Sequence, residues 1–184
     1  MNTVDRFLRS VYNRLFRPDP LKDLVGRGLV VGTNFLMMED VRLDWSHCWH
    51  ISIGDDVTLA PGVRIIAHDA STKLHLGYTR VGKVQIGDRV FVGAGTVILP
   101  GVRIGSDVVI GAASVVSRNI PDGSVACGNP ARPISTLDEW LARKRNEMAR
   151  VPAFGEEYTM RGGCTAGMRA EMNERMVDGV GYIV

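Results

Sequence analysis

The main pattern in this chain is an aliphatic residue that returns every six positions. It occurs without a break at Ile86, Val92, Ile98, Ile104, Ile110 and Val116. The same register holds at Ile53, Leu59 and Ile65, and more loosely at Val31, Met37 and Leu43. A small or β-branched residue comes four positions later in most repeats, as at Val90, Thr96, Val102, Val108 and Ser114. A period of six matches neither the 3.6-residue turn of a helix nor the two-residue alternation of a strand.

Six residues suit one short strand followed by a corner, and three such units make one turn of a triangular coil. Stacked coils bury the aliphatic column in a narrow core. The pattern therefore predicts an all-β fold, a left-handed parallel β-helix, over residues 25–133. Its coils are expected at 31–48, 53–70, 86–103 and 104–121.

Two segments interrupt this register. A short offset from Trp49 to Ser52 shifts it, and residues 71–85 leave it altogether. We interpret 71–85 as an external loop, and a loop that interrupts so regular a solenoid is a candidate functional element. Turn residues in the segment 123–133 are expected to close the solenoid.

The two ends of the chain have helical patterns. Residues 1–20 predict an N-terminal helix that covers the open end of the β-helix, because unpaired strand edges need covering. A basic amphipathic helix on a membrane surface is the alternative. Residues 134–184 predict a C-terminal helix and tail, with the helix at 137–148 and a shorter one near 168–176.

Composition excludes several classes of protein. The net charge of +2 gives no reason to expect a nucleic-acid partner. Three widely spaced cysteines without a CxxC pair argue against a disulfide framework or a structural zinc site, and they favour a reducing, cytoplasmic environment. No apolar run approaches the ~20 residues of a transmembrane helix. We therefore expect a cytoplasmic protein without a bound metal.

Among the four histidines, His68 is the most informative. Counted from Ile65, it falls at a corner of the coil, directly before the external loop. An imidazole there can point outward and accept a proton from an alcohol that attacks a thioester. The alternative is a surface histidine beside a turn-forming Asp69. The corner position and the departing loop favour the catalytic interpretation.

The repeats, His68 with its loop, and the closing Gly128–Arg132 segment together resemble the hexapeptide-repeat acyltransferases. The closest resemblance is to galactoside, maltose and capsule or colanic-acid O-acetyltransferases. It implies a homotrimer that binds acetyl-CoA between two β-helices and uses His68 as its general base. It also implies acetyl-CoA contacts at Gly93, Ala94, Gly111, Ala112, Ala113, Ser117, Arg118 and Arg132.

The residues that bind the acceptor are less clearly marked. The resemblance points to Glu39 and Asp40, one coil before His68. Asp69 either orients His68 or forms an Asx turn, and His75 and Tyr78 in the external loop are further candidates. We predict that this loop is a wall of the neighbouring subunit's acceptor pocket. Its apolar residues could instead pack on their own β-helix.

The offset segment leaves one more possibility open. His47, Cys48, Trp49 and His50 could line the acceptor pocket, although packing is the favoured interpretation for Trp49.

The resemblance implies transfer of an acetyl group to a sugar hydroxyl. The alternative is N-acetylation of an amino sugar or a nucleotide-linked amino sugar. A zinc lyase is disfavoured, because the histidines lack the His-x4-His spacing that such enzymes of this fold use. A scaffold without catalytic activity is disfavoured by His68 and its loop.

Overall fold

A computed structural model describes residues 20–184, which form two compact units, one ending at Leu137 and one from Asp138 to Val184. The first unit is built from three parallel sheets, and each coil contributes one strand to each sheet. Sheet A contains β1 (Val30–Val31), β4 (Ile51–Ile53), β9 (Val84–Ile86) and β12 (Arg103–Ile104). Sheet C contains β3 (Arg42–Leu43), β6 (Arg64–Ile65), β11 (Val97–Ile98) and β14 (Val115–Val116).

Sheet B is extended by a hairpin. Its parallel strands are β2 (Leu36–Met37), β5 (Thr58–Leu59), β10 (Phe91–Val92), β13 (Val109–Ile110) and β15 (Ser124–Gly128). The antiparallel strand β16 (Ala131–Thr136) completes the sheet, and the Asn129–Pro130 peptide bond between the last two strands is cis. The segment that the turn residues marked as the end of the solenoid therefore adds two more strands to it.

The six-residue column is the core of this unit. Each predicted column position is the last residue of its strand, and the columns stack in register, as in Leu59, Val92 and Ile110 of sheet B. From Leu43 onward every column residue is buried. Strand residues one position earlier, such as Thr58 and Phe91, point outward because side chains alternate along a strand. The structure therefore confirms parallel β-sheets formed by hexapeptide repeats.

Two irregular segments lie at the same edge of the triangle. The first joins β3 to β4 through a short 3-10 helix (Cys48–His50). The second is the external loop, which follows β7 (His68–Asp69) and contains the helix α2 (Lys73–Leu76) and β8 (Arg80–Val81). This loop ends at Lys83, because Val84 is fully buried in β9. A first helix, α1 (Pro20–Gly26), precedes the coils. The predicted N-terminal helix lies, except for Pro20, outside the described residues.

The apolar residues of the external loop point away from their own coil. Leu74 is 89% exposed and Tyr78 80% exposed, and Leu76 is also exposed. They do not pack on their own β-helix, which was one of the two alternatives.

The three corners of the coil differ in their hydrogen bonding. We name them A–B, B–C and C–A after the sheets that they join. At the A–B corner, a side chain from the following coil accepts the outward N–H of each coil. Asp55 accepts from Thr33, Asp88 from Asp55, Ser106 from Asp88 and Asp122 from Ser106, at 2.6–3.0 Å. This ladder of caps satisfies backbone groups that a corner otherwise leaves to solvent.

The second unit contains α3 (Leu137–Met148), which begins at the last residue of the first unit and coincides with the predicted helix. It continues with β17 (Ala153–Phe154), a 3-10 turn (Glu156–Tyr158), α4 (Ala166–Arg175) and β18 (Tyr182–Ile183). The strands β17 and β18 pair in parallel, and Phe154 is buried beneath the guanidinium of Arg175.

Candidate active site

His68 is paired with a buried carboxylate at the C–A corner. Its Nδ1 lies 2.5 Å from Oδ2 of Asp44, whose side chain is only 2% exposed. Because a carboxylate only accepts hydrogen bonds, Nδ1 carries the proton and Nε2 is the basic nitrogen. The imidazole is 36% exposed, so an acceptor molecule can reach it. This arrangement holds a histidine in the tautomer that a general base needs.

Asp44 is kept ionised by the groups around it. Burial alone would raise its pKa, but hydrogen bonds from His68, the Ala67 N–H and Ser46 outweigh burial and lower the pKa from 3.8 to about 2. Oδ2 accepts from Ala67 N at 2.9 Å as well as from His68. Oδ1 accepts from the Ser46 N–H and hydroxyl and from the His47 N–H. The carboxylate is therefore fixed in position by five donors.

The external loop holds the backbone of His68. In the antiparallel ladder of β7 and β8, His68 is opposite Val81 and Asp69 is opposite Arg80. The Gly82 N–H then donates to the Ala67 carbonyl at 2.9 Å. The loop thus positions the residue from which it departs.

Asp44 was missed by the sequence analysis. Leu43 pairs with Ile65, so the residue after Leu43 lies beside the start of the His68 corner. The sequence analysis named Glu39 and Asp40 in the coil before His68, and not Asp44, because the spacing of the column does not show which corner side chains turn towards the next coil. The signal available in the sequence was the carboxylate of Asp44, which directly follows the column residue Leu43.

Asp69 does not hold His68. Its Oδ1 accepts the Ser71 N–H at 2.9 Å, which is an Asx turn that opens the loop. Of the two roles left open for Asp69, the structure shows the turn, and Asp44 is the residue that orients the imidazole. His75 and Tyr78 lie in the exposed part of the loop. Glu39 and Asp40 lie at the B–C corner, not at the corner of His68.

Five of the residues proposed to contact acetyl-CoA lie together at the B–C corner. Gly93 and Ala94 follow β10, and Gly111, Ala112 and Ala113 occupy the same place one coil later. The N–H groups of Gly93 and Gly111 donate to carbonyls of the next strand. Within residues 20–184, the N–H groups of Ala94 and Ala112 have no acceptor. The residue one coil after Ala94 is Ala112, which has no side-chain oxygen to supply one. Both residues are exposed, so two outward N–H donors lie one above the other on this edge.

The three remaining predicted contacts are separate from these. Ser117 and Arg118 follow β14 at the C–A corner, two coils beyond His68, and both are exposed. Arg132 is an exposed residue of β16, and its guanidinium donates to the Ala131 carbonyl at 2.8 Å. One subunit thus does not bring all the predicted contacts to one place.

The offset segment also faces the dyad. The rings of His47 and His68 lie 4.8 Å apart, and the Ser46 hydroxyl bridges Asp44 and Nδ1 of His47. Cys48 is fully buried. Trp49 is 51% exposed, so the interpretation of Trp49 as a packing residue was wrong.

Asp44, His47 and His68 each offer one possible metal-ligating atom, and these atoms lie within 4.8 Å of one another. Protein donors already occupy both oxygens of Asp44, and His68 uses the same Nδ1 to bind it. The arrangement is that of a hydrogen-bonded base rather than of a prepared metal centre.

Comparison with known proteins agrees with the repeat. The model of the family "Bacterial transferase hexapeptide (six repeats)" matches residues 83–118. Protein CapG of Staphylococcus aureus is 34% identical over 139 residues, which are 72% of this chain and 81% of CapG. The chain belongs to the hexapeptide-repeat transferases. A galactoside O-acetyltransferase of Lactococcus lactis is 35% identical over 57% of this chain and 48% of its own length.

Solved structures show the same fold in enzymes that bind acetyl-CoA. A hexapeptide-repeat acetyltransferase of Vibrio cholerae O1 biovar eltor, solved with acetyl-CoA, has a TM-score of 0.55 at 28% identity. The likeness covers 61% of this transferase chain and 62% of the neighbour. The chain spans about half the length of several other curated relatives that it matches. Between residues 20 and 184, no helix has the length and apolarity to cross a bilayer.

Proposed function

We propose that this protein is an acetyl-CoA-dependent O-acetyltransferase that transfers an acetyl group to a hydroxyl of a saccharide. The observation that carries the proposal is the pair formed by His68 and Asp44. A half-exposed imidazole that is held by a buried, ionised carboxylate has few structural uses, and it suits proton removal from an alcohol. The name of the galactoside O-acetyltransferase supports a sugar hydroxyl as the acceptor.

In this mechanism, Nε2 of His68 removes the hydroxyl proton as the acceptor oxygen attacks the thioester carbon. The C–S bond then breaks, and His68 returns the proton to the departing sulfur. Asp44 stays ionised throughout and stabilises the imidazolium between the two transfers. A base of this kind typically contributes about 10²–10⁴-fold in rate.

The B–C corner is suited to bind the acyl donor. During attack, negative charge develops on the thioester oxygen, and an N–H without another acceptor can stabilise it. We assign this role to the Ala94 N–H, since the Gly93 N–H already donates to Ile110 at 2.8 Å. The Ala112 N–H is then available to a carbonyl of the pantetheine arm. Ser117, Arg118 and Arg132 are exposed polar groups that suit the phosphates of coenzyme A.

Two corners must meet to complete this site, and they belong to different edges. In every coil, sheet C separates the B–C corner of Ala94 from the C–A corner of His68. A second copy of the chain can place its B–C corner beside His68, which supports a homotrimer with sites between subunits. We also propose left-handed winding for the coil, as the six-residue repeat suggests. Light scattering that shows a fully active monomer would contradict the shared site.

The external loop is proposed to be a wall of the acceptor pocket of the neighbouring subunit. Its support is the exposure of Leu74, Leu76 and Tyr78, which nothing in their own β-helix covers. A Gly-Ser linker in place of residues 72–78 keeps the β7–β8 ladder that holds His68. This variant should still bind acetyl-CoA, while its KM for the acceptor rises steeply. Unchanged acceptor kinetics would remove the loop from the site.

His68→Ala is the test of the proposed function. The protein should be assayed by release of free coenzyme A with a panel of methyl glycosides and, in parallel, amino sugars. We expect the variant to lose about 10²–10⁴-fold in turnover, with acetyl-CoA binding and the circular dichroism spectrum unchanged. Near-normal turnover would refute the role of His68. Acetylation of amines alone would replace O-transfer by N-transfer.

A further inference from the structure

Aromatic side chains are concentrated in the segment that directly follows Asp44, and His47 of this segment contacts His68. We call Trp45, His47, Trp49 and His50 the aromatic patch. Trp45 is 69% exposed, and both tryptophans lie within five residues of Asp44 along the chain. Large exposed aromatic rings that lie together mark a binding surface more often than a chance exposure does.

Contacts with buried neighbours fix the backbone of the aromatic patch. Cys48 is fully buried, and its Sγ lies 3.7 Å from the Leu24 carbonyl and 3.8 Å from the Arg27 carbonyl. Gly28, with a φ of +103°, passes so close that an added Cβ would lie 3.0 Å from Cβ of Trp49. The backbone beneath Trp49 is therefore fixed by its neighbours, although the indole itself faces outward.

Ring contacts connect Trp49 to the catalytic base. The Trp49 and His47 rings are 5.4 Å apart, and the His47 ring is 4.8 Å from that of His68. His50 lies 5.7 Å from Trp49 and 6.2 Å from His47, so the two imidazoles are neighbours beside the indole. The indole is thus two ring contacts from the imidazole of His68, and two adjacent imidazoles lie beside it.

Trp45 is placed differently from Trp49. The guanidinium of Arg27 lies over the Trp45 ring, 5.7 Å from its centroid, and so covers one of its faces. Among the described residues, Trp49 has ring contacts only with the two imidazoles. The indole face of Trp49 is therefore more accessible to a ligand than the covered face of Trp45.

We propose that Trp49 is the platform on which a pyranose ring of the acceptor lies, so that one of its hydroxyls reaches Nε2 of His68. This inference rests on the proposed function and names the part of the site that selects a sugar. One face of a pyranose presents C–H groups that pack on the apolar face of an indole. Sugar hydroxyls around the ring can exchange hydrogen bonds with the imidazoles of His47 and His50.

The first test separates sugar binding from acyl-donor binding in the complete enzyme. Trp49→Leu should raise the KM for a methyl pyranoside by about tenfold, whereas the KM for acetyl-CoA stays unchanged. Trp49→Phe keeps an aromatic face and should restore most of the affinity. Trp140→Leu, in the second unit, is the matched control and should not alter the KM for the sugar.

The second test measures binding without turnover. A protein with Trp45→Phe and Trp140→Phe retains Trp49 as its one tryptophan, and titration with methyl β-D-galactopyranoside and methyl α-D-glucopyranoside should change its emission. Unchanged sugar kinetics in Trp49→Leu, or an emission that neither sugar changes, would overturn the platform. Dissociation of the oligomer in Trp49→Leu would also overturn it, since the indole would then be a contact between copies of the chain.

The two proposals fail in different ways. If the wild-type protein binds acetyl-CoA but acetylates no saccharide, the proposed function fails, and an emission change with sugar would still support the platform. If saccharides are acetylated equally well by wild type and Trp49→Leu, the platform fails and the proposed function stands.

Discussion

The A–B and B–C corners have the same backbone course but opposite surface chemistry. At the A–B corner, a side-chain oxygen from the following coil accepts each outward N–H, as Asp88 does for Asp55 at 2.9 Å. At the B–C corner, the equivalent positions in successive coils are Ala94 and Ala112, and no side chain of the described part of the chain accepts the Ala94 N–H. Side chains satisfy the outward N–H groups along the A–B edge, whereas the N–H groups of Ala94 and Ala112 on the B–C edge stay exposed.

This difference shows that the coil by itself does not make a binding site. Where a corner turns an N–H outward, a side chain of the next coil either accepts its hydrogen bond or leaves the group exposed. The C–A corner combines both features. There Asp44 accepts the Ala67 N–H as a corner cap does, and it also binds His68. A residue that caps a corner is thus also the partner of the proposed base.

The largest effect on turnover is expected at Asp44, which caps the Ala67 N–H and binds His68. Asp44→Asn removes the negative charge and allows an amide N–H to face Nδ1, which would favour the wrong tautomer of His68. Turnover should fall by about 10²–10⁴-fold, with the KM for acetyl-CoA unchanged. Asp56→Asn, at the A–B corner, is the matched control and should keep full turnover. Equal turnover of the two variants would show that Asp44 is only a structural cap.

One substitution can give the B–C corner the side-chain cap that is present at the A–B corner. Ala112→Ser places a hydroxyl where Ser106 caps the N–H of Asp88 at the A–B corner. The new hydroxyl should accept the Ala94 N–H and lower kcat by about 10²–10³-fold, the usual cost of losing one oxyanion donor. Thermal stability should be kept or should rise. A stable variant with unchanged kcat would exclude the Ala94 N–H from the reaction.

Acid should reveal the environment of Asp44 as a change in stability. Its pKa is lowered from 3.8 to about 2 in the folded protein, so the folded state holds this proton less tightly than the unfolded state. The resulting stabilisation, about 2 kcal/mol, is complete above pH ~4 and is lost as the pH falls toward ~2. The free energies of unfolding of wild type and Asp44→Asn, measured in urea, should therefore converge by this amount as the pH falls from ~4 to ~2. A difference that is constant with pH would contradict the proposed environment.

The smallest effect is expected at the closed edge. Asp88→Ala removes the acceptor of the Asp55 N–H and should lower the free energy of unfolding by about 1 kcal/mol, as the loss of other side-chain caps does. The kinetic constants of the folded enzyme should not change, because this corner faces neither His68 nor Ala94. Chemical denaturation and steady-state assays measure the two effects separately. A loss of activity in this variant would mean that the A–B corner also contacts a ligand.

The sequence by itself determined the repeat and most of the first unit. The column from Val31 to Val116 predicted the last residue of each strand in β1–β6 and β9–β14, because the spacing of buried aliphatic residues is a local property of a coil. The position of His68 at a corner before an external loop followed from the same count. The helix at 137–148 was also marked in the sequence, whereas the hairpin of β15 and β16 was not, since turn residues alone do not show that the chain returns to the sheet.

Only the tertiary structure decided what surrounds His68. Asp44 is twenty-four residues away in the sequence, and it reaches the imidazole because β3 pairs in register with β6, which places the residue after Leu43 beside the start of the His68 corner. Asp69, the nearer carboxylate, turns away into its own loop. The exposed face of Trp49 is likewise determined by the buried Cys48 beside it. A periodic pattern specifies which residues enter the core, but it does not specify the conformation of an irregular corner, and that conformation decides which side chains meet there.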